Sequence, residues 1–325
     1  MTNLLVLGGT QWLGREVARA ALERGHSVTC LARGESGAVA DGARLVSADR
    51  DSPDAYDEVR RGDWDHVVDV SWQPGHVRTA LAALGPRAAR WSYVSSCSVY
   101  ADDGTPGADE SAALVEPIED GTATGEEYAG AKVACEAAVA AAVGDRALIA
   151  RAGLIGGPGD RSDRFGYWVA RLALAGTAPV LVPDTPELAT QTIDVRDLAA
   201  WLVDASAVGA YNAVGPQIAL GPLLDQAALV AGFTGEMVTV PPQWLVDHEV
   251  EPWAGPRSLP LWLPVETHAG SGARDDAAAV AAGLHRRTVA EMLRDTLAYE
   301  RSLGLDRDRR AGMSRAEELA LLAAR

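Results

Sequence analysis

The chain has 325 residues, 48% of them apolar, and a formal net charge of −16. This length allows one large α/β domain or two smaller ones, and the acidic balance argues against a general nucleic-acid binder, because such proteins rely on cationic contacts to phosphate. No apolar run approaches the roughly 20 residues that span a bilayer, and the N-terminus lacks the basic segment of a secretory signal, so we expect a cytoplasmic protein without a membrane partner.

The six histidines and three cysteines do not fall at the spacing of zinc ligands, so we expect no metal site. An odd number of widely spaced cysteines fits a reducing compartment. The sequence is compatible with a monomer or a homodimer.

Short apolar strands alternate with helical segments from the start of the chain. The run Asn3 to Leu7 predicts a strand, and an amphipathic stretch from about Leu13 to Arg24 predicts a helix that ends at Gly25. The later runs SVTCLAR, ARLVSA, DHVVDV and RWSYVSS continue the pattern. Such alternation predicts an α/β fold, a Rossmann-type doubly wound parallel sheet with a smaller C-terminal substrate-binding domain.

The predicted domain boundaries are 1-170 for the NADP-binding Rossmann domain and 171-325 for the substrate-binding region. Strand and helix segments near 190–215 are expected to return to the first domain. The run PVLVPDTPELATQTIDV (179–195) predicts short strands at the edge of the sheet, and two amphipathic helices over 289–303 and 314–324 are expected to close the chain.

A glycine-rich turn, GGTQWLG, joins the first strand to the first helix. A dinucleotide pyrophosphate rests at such a helix N-terminus, where glycine lets the backbone turn tightly and approach the phosphates. A βα turn without a ligand is the alternative. The predicted contacts of the cofactor in this turn are Gly8, Thr10, Gln11, Trp12, Leu13 and Gly14.

The second strand ends at Arg33 rather than at the acidic residue that NAD-binding folds carry there for the ribose 2′-hydroxyl. A guanidinium would instead meet a 2′-phosphate with a fork of donors. We therefore predict NADP(H) as the cofactor, with NAD(H) as the alternative. Asp49, after the third strand, is a candidate acceptor for the adenine amino group.

The stretch EYAGAKVACE contains the only lysine of the chain, Lys132, four residues after Tyr128. Residues at this spacing share one face of a helix. An exposed pair on a solvated face is the alternative to a functional one. A serine cluster, SSCSVY, ends the fifth predicted strand, and side chains at the carboxyl end of such a strand face the ligand crevice.

With these motifs together, the chain resembles a short-chain dehydrogenase/reductase of the extended or atypical, NAD-dependent epimerase/dehydratase-like branch. GGTQWLG, SSCSVY, YAGAK, RAGLIGGPGD and DVRDLAAWLV carry the resemblance over roughly the first 215 residues. It implies that Ser96 binds the substrate oxygen, that Tyr128 is the general acid or base, and that Lys132 holds the nicotinamide ribose and lowers the pKa of Tyr128. It also implies cofactor contacts at Ser71, Gly153 and Ile155.

Departures from the family pattern narrow the expected reaction. Sugar-nucleotide dehydratases of this family place Asp-Glu after the catalytic hydroxyl, where this chain has Cys97 and Ser98. We therefore predict an NADPH-dependent oxidoreductase that reduces a carbonyl or imine of a small, apolar or aromatic metabolite. The alternatives are an NAD-dependent sugar-nucleotide epimerase and a dinucleotide-binding regulatory or RNA-associated protein without turnover.

Aromatic residues are the candidate contacts of the substrate. Tryptophans packed among prolines in the segment 240–264 fit either a core or an aromatic pocket for a flat substrate. The candidate substrate residues are Trp72, His76, Ser98, Trp168 and Trp244.

Overall fold

The computed structural model describes residues 2–325. Its strands in chain order are β1 (Asn3–Leu7), β2 (Ser27–Ala32), β3 (Arg44–Ser47), β4 (His66–Asp69), β5 (Trp91–Ser96), β6 (Ala147–Ala152), β7 (Leu154–Gly156), β8 (Val180–Pro183), β9 (Ala189–Asp194), β10 (Gly209–Ala213), β11 (Gln217–Ala219), β12 (Met237–Val240), β13 (Glu251–Pro252) and β14 (Ser258–Leu259). Seven of them form one parallel sheet in the order β10-β6-β5-β4-β1-β2-β3. The predicted Rossmann-type sheet is confirmed.

Helices cover both faces of this sheet. They are α1 (Trp12–Glu23), α2 (Pro74–Leu84), α3 (Tyr128–Val143), α4 (Arg164–Ala175), α5 (Val195–Asp204), α6 (Leu220–Ala231), α7 (Pro242–Asp247), α8 (Val265–His268), α9 (Ala277–Ala281), α10 (Val289–Leu303) and α11 (Arg315–Ala323). Helices α1 and α5 pack together over one face, and α2 and α3 over the other. The strand order reverses between β1 and β4, and ligands bind outside the carboxyl ends of the strands at such a point.

A second apolar core lies beyond the sheet, between α4, α6 and α10 and the short strands β8 and β12. The two helices predicted to close the chain are α10 and α11. Each begins with a capping box, Thr288 with Glu291 and Ser314 with Glu317, in which side chain and backbone satisfy each other's hydrogen bonds.

The strands predicted from the run 179–195 do not join the edge of the main sheet. β8 pairs with β12, and β9 pairs with β7 and β11. The free edge of β6 is instead taken by β10, so no place remains there for β8 or β9. This arrangement puts β7 and the start of α4 next to the carboxyl edge of the sheet.

No helix within residues 2–325 is both long and apolar enough to cross a membrane.

Acid should destabilise the fold through His66, which is 2% exposed and whose Nε2 lies 2.8 Å from the Ser92 hydroxyl. Burial lowers the pKa of this imidazole to about 3. Because the unfolded chain takes up the proton near the ordinary pKa of about 6.5, the contribution of a neutral His66 is complete above that value and is lost as the pH falls toward 3. We expect the free energy of unfolding to drop by up to about 1.4 kcal/mol per pH unit in this window.

Urea unfolding between pH 7 and pH 4 measures this slope. His66→Gln, which cannot take up a proton, should flatten it, whereas the same change at the exposed His285 should leave it as it is. An unchanged slope in His66→Gln would contradict the assignment.

Candidate active site

The glycine-rich turn is built to receive an anion. Gly8 has a φ of +99°, and a Cβ on Gly14 would lie 2.3 Å from the carbonyl oxygen of Gly8, so neither position accepts another residue without strain. Among the described residues, no side chain caps the N-terminus of α1, whose N-cap residue is the exposed Gln11. Its first backbone N–H groups therefore remain for a ligand, and a dinucleotide pyrophosphate fits this place.

Ser96 and Tyr128 meet where β5 ends and α3 begins. The Oγ of Ser96 accepts the backbone N–H of Ser98 at 3.1 Å and donates to the Ser98 hydroxyl, also at 3.1 Å. Ser96 acts to lower the pKa of Tyr128, against the rise that burial causes. The Trp72 ring lies 5.6 Å from the Tyr128 ring, between centroids, so the indole borders the phenol of Tyr128.

Lys132 is 3% exposed and holds its ammonium inside the protein. Nζ donates to the carbonyl oxygens of Val94 at 2.6 Å and Ser71 at 3.0 Å. It also lies 4.9 Å from the centre of the Tyr93 ring and 5.8 Å from that of Tyr128. An ammonium has three donors, so one remains for a ribose hydroxyl. The exposed-pair interpretation is therefore wrong.

The expectation that Lys132 lowers the pKa of Tyr128 is wrong for this structure. Burial raises the pKa of Tyr128, and the hydrogen bond with Ser96 and the charge of Arg164 only oppose this rise. Burial also lowers the pKa of Lys132, to about 8. Desolvation outweighs pairing for both groups, because each charged form loses water on folding.

The remaining predicted cofactor residues lie along the carboxyl edge of the sheet. Arg33 follows β2 with its side chain 58% exposed, and its Nε is 3.3 Å from the carboxylate of Glu35. Asp49 is exposed, and its Oδ1 accepts the N–H of Asp51. Ser71 offers its carbonyl to Lys132. Gly153 joins β6 to β7, and Ile155 lies in β7, paired with Ile193 of β9. Thr10, Trp12 and Leu13 lie in or directly after the glycine turn.

Three of the candidate substrate residues are occupied by contacts within the protein. His76 Nε2 lies 2.7 Å from Asp51, which directs it toward the loop after β3. Trp168 is 1% exposed, lies in the second core and donates its indole N–H to the carbonyl oxygen of Pro260. Its ring packs inside the protein and does not line a substrate pocket. Trp244 stacks on His248, with 3.8 Å between ring centroids. Ser98 is exposed beside Ser96.

Arg164, which sequence reasoning missed, lies in the first turn of α4. Its charge acts on Tyr128 and opposes the rise in the phenol pKa that burial causes. Its Cζ lies 5.0 Å from the centre of the Trp253 ring. The signal available in the sequence was the alternation Asp160, Ser162, Arg164 after a glycine-rich turn, which places three polar side chains at the end of a strand.

A protein-family model matches about two thirds of the chain. The model described as NAD dependent epimerase/dehydratase family matches residues 4–213. The chain belongs to the NAD-dependent epimerase/dehydratase family. Among curated proteins, none matches this sequence.

Solved structures show the same fold as this epimerase/dehydratase-family chain. An epimerase candidate from Burkholderia cenocepacia J2315 has a TM-score of 0.71 and 21% identity, with 93% of this chain and 98% of that chain covered. UDP-glucuronic acid 4-epimerase from Bacillus cereus, in complex with NAD, has a TM-score of 0.65 and 13% identity, covering 93% and 99%. UDP-glucose 4-epimerase from Thermotoga maritima has a TM-score of 0.65 and 14% identity, also covering 93% and 99%.

Membership of the epimerase/dehydratase family assigns the chain to the NAD(P)-dependent enzymes. The residues present fit such a cofactor, because the uncapped start of α1 can receive the pyrophosphate and the free donor of Lys132 can receive a ribose hydroxyl.

Proposed function

We propose that the protein is an NAD(P)-dependent enzyme that oxidises and then re-reduces a hydroxyl-bearing carbon of a sugar-nucleotide, and so inverts it. The observation that carries this proposal is the buried Lys132, whose Nζ lies 5.8 Å from the centre of the Tyr128 ring and donates to Val94 on β5, the strand that ends at Ser96. Epimerisation by this route needs a single acid/base group, which takes the proton from the substrate hydroxyl and later returns it. The family match and the similarity to sugar-nucleotide 4-epimerases support it, and it replaces simple carbonyl reduction as our first choice.

Each residue has a definite task in this reaction. Tyr128 takes the proton of the substrate hydroxyl while the same carbon loses hydride, and returns the proton in the reverse step. Ser96 holds the substrate oxygen through its Oγ. Lys132 positions the ribose through its free donor. A bound nicotinamide supplies the chemistry of taking up and giving back the hydride.

Elimination of water is not supported, because it needs a second acid/base group beside the first. Cys97 holds that place, and its Sγ donates to the carbonyl of Arg151. Burial raises the pKa of this thiol to about 12, so it stays protonated and does not exchange protons at neutral pH.

The test uses purified protein without added cofactor. Incubation with UDP-glucose or UDP-glucuronic acid, followed by proton NMR, should reveal the C4 epimer, and denatured protein should release dinucleotide. Tyr128→Phe should form no epimer while it still releases dinucleotide. No epimer from either sugar-nucleotide, together with steady consumption of added NADPH by a carbonyl compound, would contradict the proposal.

A second candidate, reduction of a small carbonyl compound with NADPH, is favoured by Arg33 at the end of β2. Its exposed guanidinium can pair with a 2′-phosphate. We expect NADPH to bind more tightly than NADH. Arg33→Ala should remove this difference by weakening the binding of NADPH about tenfold, the loss expected for one charge-assisted contact. Fluorescence titration of both cofactors measures this.

Glu35→Gln is the matched control, because it removes the acidic partner of Arg33 and should strengthen the preference for NADPH. Equal affinities in the unmutated protein would contradict the NADP(H) assignment and leave NAD(H).

A further inference from the structure

The guanidinium of Arg164 is a cation without an acidic partner beside the catalytic tyrosine. Within residues 2–325, its Nη atoms make no hydrogen bond to a protein acceptor, and its Nε donates only to the Ser162 hydroxyl, at 3.2 Å. The side chain is half-buried and not exposed to bulk solvent like the neighbouring Arg161. Partial burial disfavours the charged form of Arg164 and lowers its pKa, and an anionic ligand would offset this cost.

The turn before Arg164 holds the guanidinium in a fixed direction. Asp160 accepts the N–H and the hydroxyl of Ser162, at 2.7 and 3.0 Å; its charge acts on Arg164, but the two side chains make no salt bridge or hydrogen bond within the described residues. The Ser162 oxygen then receives the Nε of Arg164. Trp253 flanks the guanidinium on the other side, with 5.0 Å from Cζ to its ring centre. Only the two Nη groups are left to bind something else.

Two of the four non-glycine residues with positive φ in the described part of the chain lie next to this arginine. Asp163, directly before it, has a φ of +63°, and Trp253 has a φ of +66°; neither is glycine, and such conformations cost about 1–3 kcal/mol each. Asp163 is held there by Arg307 and by the backbone N–H of Arg310. Strained residues of this kind persist where the surrounding structure fixes them, and they cluster at ligand-binding sites.

The same turn borders the crevice that contains Ser96. In the sheet, Ser96 pairs with Ala152, so the segment after β6 starts beside the catalytic serine. Trp12, at the start of α1, donates its indole N–H to Pro158 at 2.9 Å, which ties the turn to the predicted cofactor site. Arg164 therefore lies in a segment that contacts the start of α1, and its charge acts on Tyr128.

We infer that Arg164 binds a carboxylate of the substrate that lies close to the reacting carbon, so that the substrate is a hydroxy acid of the uronate type. A guanidinium fork with two free Nη groups matches the two oxygens of a carboxylate. The arginines nearby are neutralised: Arg307 and Arg309 pair with Asp163 and Glu300. Of these three arginines, Arg164 is the one whose guanidinium makes no salt bridge within the described residues, so its fork remains for a ligand. This inference rests on the proposed function of Ser96 and Tyr128.

The first test compares two ligands that differ only at the carboxylate, UDP-glucuronic acid and UDP-glucose, titrated calorimetrically into NAD-loaded protein. Arg164→Met should weaken binding of UDP-glucuronic acid at least about tenfold, as expected for a lost hydrogen-bonded charge pair, and should change the affinity for UDP-glucose less than about threefold. Arg164→Lys, which keeps the charge without the fork, should lie between. Arg161→Met, in the same turn, is the control and should match the unmutated protein.

A second pair of ligands separates this inference from the proposed function. Saturation-transfer NMR with 3-hydroxybutanoate and 1,3-butanediol reports binding without a nucleotide. If neither sugar-nucleotide binds, but 3-hydroxybutanoate binds and Arg164→Met abolishes it, the sugar-nucleotide function fails and the carboxylate site stands. If the Arg164 variants discriminate neither pair of ligands, the carboxylate assignment is overturned, whatever reaction Tyr128 performs.

Discussion

Replacement of Lys132 by arginine should lower turnover by about 10² or more, the range expected for lost acid–base catalysis, although the charge is kept. Nζ fits between the carbonyl oxygens of Val94 and Ser71 at 2.6 and 3.0 Å, in a place that is 3% exposed. The planar guanidinium is larger than an ammonium and cannot present the same single donor to a ribose hydroxyl. Steady-state kinetics with the epimerised sugar-nucleotide measures the loss.

The pH profile gives this prediction a second readout. Because burial lowers the pKa of Lys132 to about 8, the ammonium is present below that pH and is lost above it, so activity of the unmutated enzyme should decline as the pH rises through about 8. The Lys132→Arg variant, which stays charged, should lack that decline. A variant with near-normal rate and cofactor affinity would show that the lysine is dispensable, and thermal unfolding checks that the fold persists.

The local pattern of the sequence predicts the half of the molecule that surrounds the cofactor. Apolar strands and amphipathic helices alternate there, which predicts a parallel sheet but not its strand order, β10-β6-β5-β4-β1-β2-β3. The spacing of Tyr128 and Lys132 correctly predicts that they share α3. The glycine turn lies between β1 and α1, as its residues indicate.

Other features depend on contacts between distant segments. The burial of Trp168 and the position of β10 at the edge of the sheet depend on packing between segments that are far apart in the sequence. A short stretch of sequence does not predict them. Whether the pKa of Tyr128 rises or falls on folding depends on how much water the folded site excludes. Arg164 becomes informative only when its contact with Trp253, 89 positions later in the printed sequence, is known.

A buried ion pair attaches the catalytic helix to the sheet. Glu136, on α3, accepts the Nε and Nη2 of Arg151 on β6, at 3.1 and 2.9 Å, and the two side chains are 7% and 6% exposed. Arg151 also donates to the Tyr100 hydroxyl and to the carbonyl of Glu110. Arg151 lies on β6, the strand next to β5, and β5 carries Ser96. The ion pair therefore holds α3, with Tyr128 and Lys132, in a fixed position relative to that serine.

Glu136→Leu should lower the free energy of unfolding by about 3–5 kcal/mol, because it leaves the guanidinium of Arg151 buried without its counter-charge. The exposed pair of Asp57 and Arg60 provides the control: Asp57→Ala should cost at most about 1 kcal/mol. The double change Glu136→Leu with Arg151→Met should recover part of the loss, since apolar side chains of similar volume can replace a buried ion pair. Urea unfolding of the four proteins gives these values. A cost below about 1 kcal/mol for Glu136→Leu would mean that water reaches Arg151 and that α3 is held to β6 by apolar packing alone.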